Sequence, residues 1–112
     1  MNCCNCCTNT IFLGCFDPCG IVFDFNYNVP IGGAGNYELY FDFGRQYQKF
    51  VQTLNDGDPV IFELNNLNEN FTYSGYLLLP DGSHFTYTDS FGNTYDCFEF
   101  MTKIGSKTGI NL

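Results

Sequence analysis

The chain has 112 residues, of which 45 % are hydrophobic, 19 % aromatic and only 14 % charged, and its formal net charge is −8. This length and composition predict one domain with a substantial core and exclude an intrinsically disordered body. Only four Lys and Arg residues are present, which argues against nucleic acid and anionic membranes as partners and favours a basic protein or a cation.

The first 20 residues are cysteine-rich, and we predict that they form an irregular, projecting N-terminal arm. Six of the seven cysteines lie there: Cys3, Cys4, Cys6, Cys7, Cys15 and Cys19. A C-x-x-C pair brings two thiolates to one Zn²⁺, so the candidate metal ligands are Cys4, Cys7, Cys15 and Cys19. Three other interpretations stay open for these cysteines: free thiols, as a reducing cytosol favours, partial burial of some of them as small apolar residues, or disulfides formed after release into an oxidising medium.

Residues 21–112 are predicted to form a single domain, because apolar and polar residues alternate along several short segments. The alternation is clear in residues 21–29 and 37–43, where the apolar side chains are predicted to face inward. Further strand candidates, separated by turns rich in Gly, Pro, Asn and Asp, are residues 60–64, 71–79, 84–88 and 95–102. Residues 45–54 fit an amphipathic helix or another strand, and the flanking strands favour the strand.

About seven short strands at this spacing predict an all-β fold, an immunoglobulin-like antiparallel β-sandwich. The sequence lacks the antibody signature, because it has no Trp and no cysteine pair spaced to bridge two sheets. The fold class is therefore predicted from strand patterning alone.

Catalytic machinery is not evident, and we predict that the chain is not an enzyme. His84 is the only histidine. A dyad of Cys97 and His84 is conceivable if the last strands pair, but no third residue completes a triad. No positively charged leader precedes an apolar stretch of signal-peptide length, so we expect synthesis in a cytosol.

The tyrosines are the remaining candidates for a functional surface. They would form either an anchor for another protein or a stacking platform for sugars. Sugar platforms often use Trp, which is absent, so a protein interface is favoured slightly. The candidate interaction residues are Tyr40, Tyr73, Tyr76, Tyr87 and Tyr95.

Residues 37–102 resemble small β-sandwich virion proteins of tailed phages that infect gut Bacteroidetes. The resemblance lies in the turn Asn55-Asp56-Gly57-Asp58, in Leu67-Asn68-Glu69-Asn70 leading to Tyr73, in the turn Pro80-Asp81-Gly82, and in Cys97-Phe98-Glu99-Phe100-Met101-Thr102. It implies a capsid decoration, a head–tail connector or a tail accessory, assembled in the host cytoplasm. It transfers no functional residues, because such proteins act by surface contact.

Three functions are thus predicted. The first is a non-enzymatic structural module that binds other subunits of a larger assembly, and its localisation would be the virion or, alternatively, the cytoplasm. The second is a carbohydrate-binding module that uses surface tyrosines. The third is a small structural zinc protein in which the cysteine-rich arm is the working part.

Overall fold

The computed structural model describes residues 7–42 and 47–112. Within these ranges the chain is all-β, with ten strands and no helix, and so no helix that could cross a membrane. The strands are β1 (Thr10–Phe16), β2 (Ile21–Asn28), β3 (Gly35–Asp42), β4 (Tyr47–Leu54), β5 (Pro59–Leu64), β6 (Thr72–Leu78), β7 (Tyr87–Thr88), β8 (Thr94–Tyr95), β9 (Cys97–Thr102) and β10 (Gly109–Asn111).

The strands form two main sheets and one short hairpin. The five-stranded sheet has the order β1-β9-β6-β3-β4, the three-stranded sheet has the order β10-β2-β5, and β7 pairs with β8. The core lies between the two main sheets. Phe23 of β2 contacts Phe41 of β3 and Phe98 of β9, at ring-centroid distances of 5.7 and 5.9 Å.

The predicted alternation of inward and outward side chains is confirmed in the two clearest strands. In β2, Ile21, Phe23 and Phe25 are buried, and in β3 the buried residues are Tyr37, Leu39 and Phe41. Side chains alternate between the two faces of a strand, so the residues between them point away from the core. The outward set of β3 is Glu38, Tyr40 and Asp42.

The ambiguous segment 45–54 is a strand over the part that the structure describes. β4 runs from Tyr47 to Leu54 and pairs with β3 in antiparallel register, from Asp42↔Tyr47 to Gly35↔Leu54. Residues 45 and 46 lie outside the described ranges. The helical spacing of apolar residues is overridden here because β3 offers a complete row of hydrogen-bonding partners.

Three predictions about the architecture need correction. The arm is not irregular throughout, because Thr10–Phe16 forms β1, and Ile11 and Leu13 pack against the core. The sheets are not purely antiparallel, since β1 pairs with β9 and β10 pairs with β2 in parallel register. The described residues hold ten strands instead of about seven, although β7, β8 and β10 are only two or three residues long.

Gly75 permits the close packing of β6 against β3, and its replacement should destabilise the fold. A Cβ at this position would clash with the Tyr40 carbonyl oxygen and lie 2.6 Å from Cδ1 of Phe41. Backbone cannot move aside cheaply, so we expect Gly75→Ala to lower the free energy of unfolding by about 1–3 kcal/mol. Chemical denaturation measures this change.

Gly109→Ala is the matched control, because a Cβ there meets no atom within 4 Å. It should change the free energy of unfolding by less than about 0.5 kcal/mol. Equal stability of the two variants would contradict the packing described for β6.

Candidate functional site

The surface of the five-stranded sheet that points away from the core is the candidate functional site. We call it the outer face. Residues paired directly across neighbouring strands share a face, and one such row crosses all five strands: Tyr47, Asp42, Ser74, Glu99 and Phe12. The outer face includes Phe12, Glu38, Tyr40, Asp42, Tyr47, Lys49, Val51, Ser74, Tyr76, His84, Glu99 and Met101.

A stack of rings runs across the middle of the outer face. Tyr40 and Tyr76 are register partners on β3 and β6, and their rings are 5.2 Å apart and nearly parallel. The His84 ring lies on the other side of Tyr76 at 4.6 Å. Lys49, the β4 partner of Tyr40, places its Nζ 5.9 Å from the centroid of the Tyr40 ring. The stack is therefore a direct product of strand register.

Glu38 fixes the hydroxyl end of this stack. The Tyr40 hydroxyl donates a hydrogen bond of 2.8 Å to Oε1 of Glu38. This hydrogen bond, with partial burial and the charge of Glu38, raises the pKa of Tyr40 to about 12. Tyr40 is consequently neutral, and its ring is held in one orientation, across the physiological pH range.

Apolar and acidic side chains surround the stack. Four large apolar side chains on the outer face are solvent-exposed: Phe12 (56 %), Tyr47 (63 %), Val51 (48 %) and Met101 (40 %). Three carboxylates, those of Glu38, Asp42 and Glu99, accompany the single cation of Lys49 on this face of the described chain. The surface thus combines exposed apolar area with negative charge.

The five predicted interaction tyrosines do not form one platform. Tyr40 and Tyr76 come together on the outer face. Tyr73 belongs instead to the core, because its ring is only 2 % exposed and stacks on Phe100 at 5.6 Å. Its hydroxyl oxygen accepts a hydrogen bond from the backbone N–H of Asn68. Side chains alternate between the two faces of a strand, so Tyr73 and Tyr76, an odd number of residues apart on β6, point to opposite faces.

The remaining pair, Tyr87 and Tyr95, lies on the β7–β8 hairpin. The two residues are register partners with rings 6.4 Å apart. The Tyr95 hydroxyl donates to Oδ2 of Asp89, and this hydrogen bond raises the pKa of Tyr95. Asp89 also accepts backbone N–H bonds from the turn that it begins. These two tyrosines therefore pair with each other and one of them supports the local turn.

Neighbouring rings also limit a sugar platform. Tyr76 has Tyr40 against one side of its ring and His84 against the other, and only 7 % of the residue is exposed. One side of the Tyr40 ring is covered by Tyr76. A sugar needs a free aromatic face on which to stack, and Tyr76 presents none.

A disulfide removes one cysteine from the predicted set of zinc ligands. Cys7 is bonded to Cys97 of β9, at a sequence separation of 90, so its sulfur is not available to the predicted set in this state. Cys15 and Cys19 are free and exposed, and Cys4 lies outside the described residues. The disulfide joins the N-terminal segment to the strand beside it and does not bridge the two main sheets.

Asp96 holds the N-terminal segment beside this disulfide. Its carboxylate accepts hydrogen bonds from the backbone N–H groups of Thr8 and Asn9, at 2.9–3.0 Å. Burial raises the pKa of Asp96, but the N–H groups of Asn9 and Thr8 outweigh burial, so the net pKa is lowered. The segment before β1 is thus attached to β9 by a covalent bond and by a charge-assisted hydrogen-bond pair.

His84 and Cys97, the residues of the conceivable dyad, are neighbours. One ring nitrogen of His84, a carboxylate oxygen of Asp96 and Sγ of Cys97 lie within 4.8 Å of one another. The Cys97 thiol is engaged with Cys7, so it is not a free nucleophile in this state. Asp96 was not among the residues predicted from the sequence, although its position directly before Cys97 was a usable signal.

No protein-family model, no curated protein and no solved structure matches this chain. Two regions of the described chain combine side chains suited to binding: the outer face and the residues around Cys97. Both regions lie on the same five-stranded sheet, and His84 belongs to both.

The raised pKa of Tyr40 is testable by titration. We expect the folded protein to contain one tyrosine that ionises near pH 12, and Glu38→Gln to shift that ionisation back towards pH 10 by removing the acceptor charge. Because the folded pKa exceeds the unfolded value, the stabilisation is complete below pH 10 and is lost as pH rises through 12. Ultraviolet absorbance of tyrosinate, with Tyr40→Phe as the assignment control, measures both effects. An unshifted Tyr40 in the unmodified protein would contradict the hydrogen bond.

The Asp96 anchor should fail in acid. Its folded pKa lies below the ordinary 3.8, so its stabilisation is present above that value and disappears as pH falls through the folded pKa. We expect the amide resonances of Thr8 and Asn9 to titrate with a midpoint below pH 3.8 in NMR spectra. Asp96→Asn should abolish this titration, whereas Asp81→Asn, at a distant turn, should leave it unchanged. A midpoint above 3.8 would refute the anchor.

Proposed function

We propose that this chain is a non-enzymatic structural module that docks on another protein subunit of a larger assembly through its outer face. The observation that carries the proposal is the composition of that face, where exposed apolar side chains surround an ordered ring stack. Large exposed apolar patches on soluble domains mark interaction sites. Aromatic residues held near the centre of a face are the usual energetic anchors of such contacts.

The size of the outer face suits this role. Five strands about 4.8 Å apart and up to eight residues long cover roughly 600 Å². A standard protein interface buries about 800 Å² on each partner. The outer face therefore supplies most of the area that one stable contact needs.

Order within the stack lowers the entropic cost of binding a partner. Tyr40 is held by Tyr76, by Lys49 and by the hydrogen bond to Glu38. Side chains that are already fixed lose little rotamer entropy when a partner binds, a cost of about 0.5–1.5 kcal/mol for each mobile side chain. The side chains of the stack are therefore already ordered before a partner binds.

Charge narrows the class of partner to a protein with a basic or neutral contact surface. The outer face carries Glu38, Asp42 and Glu99 against one lysine, and the whole chain has a net charge of −8. Complementary potential accelerates association and disfavours acidic partners. The same charge disfavours nucleic acid and membranes as partners.

We extend the proposal to the resemblance described above: the assembly is the virion of a tailed phage, built in the host cytoplasm, in which the chain is a decoration, connector or tail accessory. Support comes from the surface features just described and from the matching turns and strands. Proteins of that kind act by contact, which agrees with a module whose proposed working part is a sheet surface.

The immunoglobulin-like assignment belongs to the same proposal. The order β9-β6-β3-β4 corresponds to strands G-F-C-C′ of a variable-type domain, and β2 beside β5 corresponds to B beside E. Tyr73 supports it further, because a tyrosine at the start of strand F bonds the backbone of the preceding corner in such domains. Gly75 then occupies the position of the cysteine that follows that tyrosine by two residues.

Particle association tests the proposed function. Intact particles from the virus that encodes the chain should contain it at a fixed copy number after gradient purification, by quantitative mass spectrometry. It should stay bound in moderate salt and be released in high salt, since part of the attraction is electrostatic. Absence of the chain from purified particles would refute the virion proposal.

A matched pair of variants tests the docking face. Tyr47→Asp with Val51→Asp places two charges on the exposed apolar part of β4, and we expect at least about a tenfold loss of particle binding in reconstitution with particles lacking the chain. Phe91→Asp, at an 89 % exposed position on the β7–β8 hairpin, should bind normally. Equal binding by both proteins would show that another surface docks.

A further inference from the structure

The disulfide between Cys7 and Cys97 is surrounded by atoms that bind metals. One imidazole nitrogen of His84, a carboxylate oxygen of Asp96 and Sγ of Cys97 lie within 4.8 Å of one another. Sγ of Cys7 is bonded to Sγ of Cys97, so a second sulfur lies directly beside these three atoms. Two sulfurs, one nitrogen and one oxygen are a donor set that Zn²⁺ accepts in tetrahedral geometry.

The hydrogen bonding of His84 is like that of metal-bound histidines. Its Nδ1 lies 3.0 Å from the backbone carbonyl oxygen of Asp96, which favours the tautomer with the proton on Nδ1. Nε2 is then a bare acceptor, and it is buried without a hydrogen-bond partner among the described residues. Stacking on Tyr76 at 4.6 Å fixes the plane of the ring. A backbone carbonyl on the far nitrogen is the usual support of a histidine ligand.

Asp96 has bonding capacity left for a cation. A carboxylate offers about four lone-pair positions, and the structure uses three of them for the N–H groups of Thr8 and Asn9. These hydrogen bonds fix the carboxylate and also keep residue 7 next to β9. The oxygen ligand and Cys7 are therefore positioned by the same contacts.

We propose that Cys7, Cys97, His84 and Asp96 form a zinc site when the disulfide is reduced. A dithiol reductant passes two electrons and two protons to the two sulfurs and becomes its own disulfide. Both protein thiols then release their protons to water as Zn²⁺ binds the thiolates. Zn–S bonds of about 2.3 Å place the sulfurs about 3.8 Å apart, and the exposed Cys7 side chain supplies that movement.

The disulfide and the proposed zinc site connect the same two parts of the chain, residue 7 and β9. In an oxidising medium the disulfide joins residue 7 to β9, and in a reducing cytosol the metal joins them through the same two sulfurs. The N-terminal segment is thereby held against the five-stranded sheet in both surroundings. This site differs from the set predicted from the sequence, of which it keeps only Cys7, and it does not rest on the proposed docking function.

Metal binding to a simplified chain tests the proposal. The full chain is prepared with Cys3→Ser, Cys4→Ser, Cys6→Ser, Cys15→Ser and Cys19→Ser, which leaves Cys7 and Cys97. Reduced with a phosphine, this protein should bind one Co²⁺ or Zn²⁺ per chain and show thiolate-to-Co²⁺ absorption. The oxidised protein should bind at least about a hundredfold more weakly, because it lacks both thiolates. Equal binding in the two redox states, or no binding by the reduced protein, would overturn the site.

Variants then identify the other two ligands. In the reduced simplified chain, His84→Gln and Asp96→Asn should each weaken Zn²⁺ binding at least tenfold, since loss of a supporting group alone costs that much. Asp89→Asn, a carboxylate of the neighbouring hairpin turn, is the control and should bind normally. Affinity unchanged by His84→Gln would refute its role as a ligand.

Two measurements keep the test valid if a variant folds poorly. Without any change at position 84, the ¹⁵N resonance of His84 Nε2 should shift on Zn²⁺ addition while Nδ1 keeps its proton. Zn²⁺ should also raise the thermal midpoint of the reduced simplified chain and leave that of the oxidised chain unchanged. An unmoved Nε2 resonance, or equal thermal shifts in both redox states, would overturn the proposal.

Discussion

Contact between aromatic rings across the two main sheets is the interaction on which the rest of this structure depends. Phe23 lies at its centre and touches rings from β3 and β9 as well as its neighbour Phe25. Because these rings are fully buried, they fix the separation and the relative positions of the sheets. Gly75 contributes by leaving room for the ring of Phe41. The strands of the outer face are thereby held in one register.

That register determines the chemistry of the opposite surface. A shift by one residue would turn Tyr40 and Tyr76 into the core and bring core rings out to solvent. The ring stack, the acidic side chains around it and the position of His84 beside Cys97 are thus consequences of the buried packing. The outer face and the proposed metal site share one support, since His84 stacks on Tyr76 and lies next to Cys97.

The features that depend only on neighbouring residues in the chain could be predicted from the sequence. The all-β class and the inward residues of β2 and β3 follow from a period of two, and the strand at residues 47–54 was favoured by the strands that flank it. The parallel pairing of β1 with β9 and of β10 with β2 could not be predicted in this way, because it joins segments far apart in the chain and needs no turn signal. The same limit applies to the site: Tyr40 and Tyr76 were candidates as residue types, whereas their stacking, the burial of Tyr73 and the partnership of Cys7 with Cys97 depend on long-range register.

The pairing of β1 with β9 has a consequence for the route of folding. Residues 10–16 must wait for residues 97–102 before their hydrogen-bonding groups are satisfied, and closing so long a loop is entropically costly. Such high contact order slows folding. During synthesis the middle of the chain, β2 to β6, is therefore expected to assemble first, while Ile11 and Leu13 remain without their burial site. Until β9 emerges, the nascent chain would leave the apolar side chains of residues 10–16 exposed, which invites chaperone capture or aggregation.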